Sequence, residues 1–323
     1  MTPLAEILRS RIEQEGPLPF WAFMSAALYH PEHGYYRRAH DPFGKHGDFY
    51  TAEQLQPVFG ILVAQRIRQL AHGMGNPADF TVVELGAGRR EMADAFREWH
   101  YVPVDVDGGE MPEQFRGVVF CNEFFDAHPV RALQYRDGAF HEQLVTFRDG
   151  KFHWISGEVV EPCENHYLRR FYPPPEEGRW YEVPMLDLWM SRISRSLAEG
   201  WLLTIDYGFT REESVRFPQG TLMSYRRHTA LDDVLAEPGD RDITAHVNFT
   251  AMRELGTACG LVTERFETLA SMLLSAGEPD QFAAALGEGA DEARRRGQLK
   301  TLLFGMGETF RVLLQRKDPN RSE

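Results

Sequence analysis

The sequence predicts an open α/β fold built on a parallel sheet, and three observations carry that reading. Residues 80–88, FTVVELGAG, are a short apolar run ending in an acid and a glycine turn, and EMADAFREW (91–99) after it reads as a helix. That is a strand–turn–helix unit. YVPVDVD (101–107) and GVVFCNEFFD (117–126) read as second and third strands. Further on, Pro184 opens a helix with Leu186, Trp189, Met190, Ile193 and Leu197 on one face and Gly200 as its stop, feeding the strand WLLTIDYG (201–208). Helix-then-strand alternation yields parallel strands.

The remaining elements follow in chain order. Leu4, Leu8 and Ile12 recur at helical spacing until Gly16-Pro17. Residues 30–51, HPEHGYYRRAHDPFGKHGDFYT, form a loop whose length suggests function and whose aromatics argue against disorder. Leu55, Phe59, Leu62, Val63, Ile67 and Leu70 make one helical stripe within Thr51–His72, with Gly73 after it. Asp137-Gly138 and Asp149-Gly150 predict hairpin turns. The run 209–248 is loop-rich, Phe249–Cys259 and 278–296 read as helical, and LVTERFETL (261–269) and MGETFRVLLQRK (306–317) read as strands. The organisation expected is a helical and loop cap over 1–75 and a core over 78–323, with substrate-covering insertions at about 135–180 and 209–248.

Composition narrows the function. A net charge of −13 argues against a nucleic-acid partner and suits a cationic one. No window reaches the ~18–20 apolar residues of a membrane span. The N-terminus lacks a signal-peptide core, and Glu6, Glu13 and Glu15 are foreign to a mitochondrial transit peptide. Cys121, Cys163 and Cys259 form no C-x-x-C, and the histidines form no H-E-x-x-H. A disulfide framework and a metal site are therefore not expected, and a cytoplasmic location is.

The chemistry gathers at predicted strand ends. In Glu84-Leu85-Gly86-Ala87-Gly88 the glycines permit a tight turn and close approach of a ligand. Asp105 or Asp107, about twenty residues past Gly86, could accept ribose hydroxyls. Glu91 stands where a dinucleotide fingerprint needs glycine and would repel a pyrophosphate, so the loop suits an adenosine ligand without phosphate. S-adenosylmethionine (SAM), with its sulfonium and ammonium, fits beside Glu84. At the next strand end, Asn122, Glu123 and Asp126 could hold a cationic nucleophile, or Asp126 could simply cap a helix. Asp206-Tyr207-Gly208 and the polar loop Asp240–Asn248, with Asp242 and His246, are further candidates.

Together these motifs resemble the MidA-like family of class I SAM-dependent methyltransferases, whose mitochondrial members are respiratory complex I assembly factors that methylate a protein arginine. The resemblance runs through nearly the whole chain. It includes Gly44–Thr51 as G-K-x-G-D-F-x-T, Glu84–Arg89 as E-L-G-P-G-R, Asn122–Val130 as N-E-F-F-D-A-L-P-V, Asp206–Gly208 as D-Y-G, and Asp240–Phe249 as D-x-T-A-H-V-D-F. Ala87 replaces proline, Arg90 glycine, His128 leucine and Asn248 aspartate. Only ten residues, 108–117, separate Asp107 from Val118, where the family carries a helix and a strand. That stretch needs roughly twenty residues, so the Rossmann-like sheet is expected to be one element short.

The resemblance implies SAM as cofactor, held by Asp48, Thr51, Glu84, Gly86, Ala87, Gly88, Asp105, Asn122 and Glu123, and an arginine-bearing protein as substrate. Glu123 and Asp126 are the candidate holders of the guanidinium, with Asp242 and His246 to orient substrate or take a proton. A homodimer is compatible with this reading. The alternative is a catalytically weak or inactive methyltransferase-like assembly or scaffold protein, favoured by the shortened segment and Arg90. A nicotinamide-dependent dehydrogenase stands further off because of Glu91.

Overall fold

The computed structural model describes residues 1–37, 52–160, 162–226, 229–231 and 233–318, without the side chains of Gln54, 162–165, Arg226 and Ala230. The chain forms two compact units, each assembled from three separated segments. Among the described residues no helix is long and apolar enough to cross a membrane.

One unit comprises Thr51–Phe125, Asp187–Gly208 and Met252–Glu323. Its sheet contains β1 (Thr81–Leu85), β2 (His100–Val104), β3 (Phe115–Asn122), β4 (Leu197–Phe209), β5 (Leu261–Thr268) and β6 (Phe310–Lys317). Their spatial order is β5-β6-β4-β3-β1-β2. β2, β1, β3 and β4 run parallel, whereas β6 is antiparallel to β4 and β5 antiparallel to β6. Strands buried on both faces read as continuous apolar runs, and Val82, Val83, Val118, Val119, Phe120, Leu202 and Leu203 are all fully buried. On one face the helix Val58–Gly73 packs Phe59, Leu62, Val63 and Ile67 against Val82, Val118, Phe120 and Leu203. The predicted parallel sheet is present, and so is its predicted shortening: 105–114 holds no strand, and among the described residues β2 is the edge. Pro103 lies in β2, and an edge is where proline is tolerated in a sheet.

Several elements depart from the sequence reading for physical reasons. The helix expected over 91–99 contracts to Ala93–Phe96, because the glycine turn uses residues up to Met92 before the chain must enter β2. Gly200 is not a helix stop. The helix Asp187–Ser196 ends earlier, and Gly200, at φ +134, lies inside β4 against the backbone of Gly117. The helical stretch 278–296 is two separate helices, Ala283–Leu286 and Glu292–Lys300, with 3-10 turns around them. The helix Leu269–Gly277 was not anticipated, although Thr268 Oγ1 caps it by accepting from Ser271 N at 3.2 Å.

The other unit comprises Met1–Tyr50, Asp126–Leu186 and Phe209–Ala251. Leu18–Pro19, Val130–Arg136, Ala139–Arg148, Lys151–Val159 and Trp180–Pro184 form an antiparallel sheet. Both predicted hairpins are there, with Asp137 and Gly138, and Asp149 and Gly150, all at positive φ as a type I′ turn requires. The helices Pro3–Glu15 and Phe20–Tyr29 bury Leu4, Leu8, Phe20, Phe23 and Leu28 in a core with Val130, Ala132 and Val145. A smaller sheet pairs Met223–Arg226 with Thr229–Leu231 and Asp242–Thr244.

Candidate functional site

The register of the parallel strands places three chemical groups side by side. Leu85 of β1 is paired with Val104 of β2 and Cys121 of β3, and Asn122 with Ile205 of β4. The residues that follow, Gly86, Asp105 and Glu123, therefore emerge at one end of the sheet, where open α/β folds bind ligands.

The glycine turn folds over the end of β2: Gly86 N and Ala87 N donate to Val104 O at 2.9 and 3.3 Å. Gly86 and Gly88 have φ of +75° and +44°. A β-carbon on Gly86 would lie 2.9 Å from Phe124 Cδ2, so the turn also needs a glycine for room. Asp105 braces this turn, its carboxylate accepting from Gly88 N at 2.7 Å and from Val106 N at 2.6 Å. Asp206, fully buried in β4, accepts from Phe125 N at 3.0 Å and Tyr207 N at 2.9 Å, fixing the chain as it leaves β3. Asp206 thus positions the Glu123 turn.

Behind the glycine turn lies a cluster of carboxyls. Glu84 is 1% exposed and accepts a hydrogen bond from Tyr101 of β2. Burial pushes its pKa up to about 8, with Tyr101 opposing the rise and Asp105 and Glu91 adding to it. Glu53 is pushed well above the carboxylate range, first by burial and then by Glu84, Glu123 and Glu91. Glu123 accepts from Ala52 N at 3.2 Å and Asn122 Nδ2 at 3.3 Å, while its own φ is +48°. A non-glycine residue held there stores strain of roughly 1–3 kcal/mol, a recurrent mark of functional positions. Asn122 Oδ1 is buried and has no hydrogen-bond donor among the described residues. Carboxyls kept protonated first by burial and then by neighbouring charge, beside an orphaned acceptor, form a site that a cationic donor would relieve. A ligand bearing an ammonium and a sulfonium fits that description.

The remaining candidates belong to the other unit. Asp242, 2% exposed, accepts from Tyr36 OH at 3.0 Å and Ile243 N at 3.0 Å. The Tyr36 hydroxyl is raised well above its usual range, first by burial and then by Asp242, Tyr29 and Asp126. Asp126 is therefore near Asp242, and its carbonyl accepts from Ala245 N at 2.9 Å. Tyr29 stacks on Tyr36 with centroids 5.6 Å apart. His246 donates its backbone N–H to Thr221 Oγ1 at 3.0 Å and meets the ring of Phe217 edge-on; burial lowers its pKa to about 4. Asn248 Oδ1 accepts from Ala251 N at 3.1 Å, capping the helix Phe249–Ala258.

Glu84, Gly86, Ala87, Gly88, Asp105, Asn122 and Glu123 thus sit together at one sheet end, and Asp126 groups with Asp242. Asp48 and Thr51 lie outside the described residues. The sequence reading missed Glu53, Tyr101 and Tyr36. Tyr101 had a legible signal, since it shares a strand face with Pro103, which pairs with Glu84; Glu53 and Tyr36 had none.

Comparison with known proteins agrees with this geometry. A family model for S-adenosyl-L-methionine-dependent methyltransferases matches residues 98–267. A Drosophila melanogaster relative, named as a mitochondrial protein arginine methyltransferase NDUFAF7 homolog, is 28% identical over 96% of this chain and 84% of its own. The Xenopus tropicalis protein arginine methyltransferase NDUFAF7, also named mitochondrial, is 26% identical over 79% of this chain and 72% of its own. A Burkholderia thailandensis protein solved with S-adenosyl-homocysteine bound superposes with a TM-score of 0.87 at 29% identity, covering 97% of this chain and 92% of that one. These relatives correct the cytoplasmic expectation, for they are mitochondrial by name. Unpaired cysteines mark any reducing compartment and cannot single out the cytoplasm. The chain belongs to the S-adenosyl-L-methionine-dependent methyltransferase family.

Proposed function

We propose that the protein methylates an arginine side chain of a protein substrate, with Glu84, Gly86, Ala87, Gly88, Asp105, Asn122 and Glu123 holding the cofactor. The observation that carries this reading is the meeting, at the ends of β1 and β3, of a glycine turn with the buried carboxyls of Glu84 and Glu53 and the orphaned Asn122 Oδ1. The arginine substrate follows the relatives, which are named for it. Asp48 and Thr51 are assigned to the cofactor by motif alone.

When bound, SAM supplies a methyl group on a positively charged sulfur. The protein's task is to hold an arginine nitrogen in line with that methyl and free of competing water, worth up to about 7–11 kcal/mol in well-oriented systems. An arginine is protonated at neutral pH and its nitrogens share one delocalised charge. Carboxylates that bind the guanidinium concentrate this charge away from the reacting nitrogen. Glu123 does so from the end of β3; Asp126 and Asp242 are assigned to the substrate by motif alone. His246, assigned to the substrate by motif alone, stays neutral at pH 7 because burial lowers its pKa to about 4.

Incubation with isotopically labelled SAM and arginine-bearing proteins, followed by mass spectrometry, tests this. The expected result is label on arginine, reduced at least about 100-fold in Glu123→Gln, as expected for lost orientation. Label on lysine alone, or binding of SAM with no transfer to any protein, would overturn it.

A further inference from the structure

The cofactor site meets the edge of the sheet at Asp105, and the geometry there bears on which cofactors it admits. We propose that the adenine end of the site is open at the β2 edge, so that the protein accepts adenosyl cofactors enlarged at the adenine N6 amine. This rests on the cofactor role of Gly86–Gly88 and Asp105 given above.

Gly86 follows β1 and Asp105 follows β2, the neighbouring strand, one strand spacing of about 4.8 Å further out. A nucleoside with its sulfur end at the glycine turn and its ribose at Asp105 carries its base onward past β2. Its glycosidic bond is at N9, so the six-membered ring and its N6 amine are the far end. In a sheet with another strand outside β2, that end would meet packed side chains. Here β2 is the last strand among the described residues.

What lies beyond β2 is the link 105–114. It begins with a tight turn in which Asp105 N donates to Gly108 O at 2.9 Å and Gly108 N to Asp105 O at 3.1 Å. Gly109, at φ +89°, then lies so close to the Pro103 carbonyl that a β-carbon could not be accommodated. The link therefore hugs β2 at Gly109, and Asp107, Gly108, Gly109 and Glu110 are all exposed. Val106, Met111 and Pro112 of the link are half-buried, and the exposed run between them, Asp107 to Glu110, presents little bulk against an added group. The edge that the shortened segment creates thus also removes the usual means of rejecting a larger base.

The test is calorimetric titration of the full-length protein with S-adenosylhomocysteine and with its N6-benzyl derivative. Affinities within about threefold of each other are expected, since a group left in solvent neither clashes nor gains much burial. A derivative that binds more than about thirtyfold weaker, while the parent compound binds normally, would overturn the open edge and leave the methyltransferase reading intact. No binding of the parent compound would instead refute the cofactor reading itself, and this proposal with it. A second variant, Glu110→Trp, adds bulk to the exposed link: it should weaken the benzyl derivative more than the parent, and an equal effect on both counts against the proposal.

Discussion

At the residue scale, Glu84 carries the clearest consequence. Its pKa of about 8 arises mainly from burial, so at neutral pH the folded protein without cofactor holds a proton that the unfolded chain has released. Stability contributed by that group is present below the unfolded carboxyl value and is lost as pH rises toward 8. A cationic ligand acts in the opposite sense, binding the ionised form. SAM affinity should therefore rise between pH 6.5 and 8.5 by about tenfold relative to Glu84→Gln, whose amide does not titrate. Calorimetric titrations of both proteins at three pH values give the two curves, and parallel curves would mean Glu84 does not face the cation. His246 titrates in a separate window: held at about 4 by burial, it costs stability as pH falls through 6.5 toward 4.

Arg90 is the other informative residue. It stands where the family resemblance has glycine, and its φ of +60° shows why glycine is usual there. Left-handed backbone costs a side-chain-bearing residue about 1–2 kcal/mol, against about 0.5–1 kcal/mol for the extra freedom glycine loses on folding. Arg90→Gly should thus stabilise the protein by up to about 1 kcal/mol, read as a higher urea midpoint with unchanged slope. A lower midpoint would show that the guanidinium makes contacts worth more than the backbone strain.

At the scale of elements, glycines set how closely β1, β3 and β4 approach. Thr81, Gly117 and Gly200 share one row across the three strands. A β-carbon on Gly117 would strike the backbone of Thr81, and one on Gly200 the backbone of Gly117. Backbone cannot move aside as a flexible side chain can, so Gly117→Ala should cost about 3 kcal/mol or more, from overpacking together with its positive φ. Gly138→Ala, at a hairpin tip with open space around it, isolates the φ contribution and should cost about 1 kcal/mol. Urea unfolding of the two variants compares them, and equal losses would mean the strands part readily at Gly117.

The same elements show what was readable from sequence. Strand–turn–helix units, type I′ hairpins and the shortened 105–114 link are written in contiguous residues, so the parallel sheet, both hairpins and the edge at β2 were accessible. The helices Phe20–Tyr29 and Leu269–Gly277 were not, because nearly continuous apolar runs have no polar face to set a period. Within the site, the strand-end motifs Gly86–Gly88 and Asn122-Glu123 were legible. Glu53 was not, since it meets Glu84 and Glu123 only through the fold, and the burial that raises its pKa comes from the folded chain. The bracing contact of Asp105 was likewise hidden: spacing pointed to a ribose, but the contact it makes with Gly88 N comes from the turn's own shape.

At the scale of the whole molecule, chain order and architecture are out of step. Each compact unit draws on three segments, and the chain passes from one to the other near residues 50, 125, 186, 208 and 251. β1, β2 and β3 are made early, yet β3 has β4 as its neighbour, and β4 in turn has β6, from the end of the chain. Until those late strands arrive, β3 exposes an apolar edge, and Val118, Val119 and Phe120 lack their neighbours Trp201, Leu202 and Leu203. Unpaired apolar edges invite intermolecular pairing. Residues 1–125, which contain the glycine turn and the Glu84 cluster, should therefore not fold alone. Expressed separately, this fragment should aggregate, or stay soluble without a cooperative thermal transition by circular dichroism and without heat on titration with S-adenosylhomocysteine. Residues 1–317 should retain both, because β6 closes at Lys317. A fragment 1–125 that melts cooperatively and binds the nucleoside would show that the site is assembled locally and owes nothing to the distant strands.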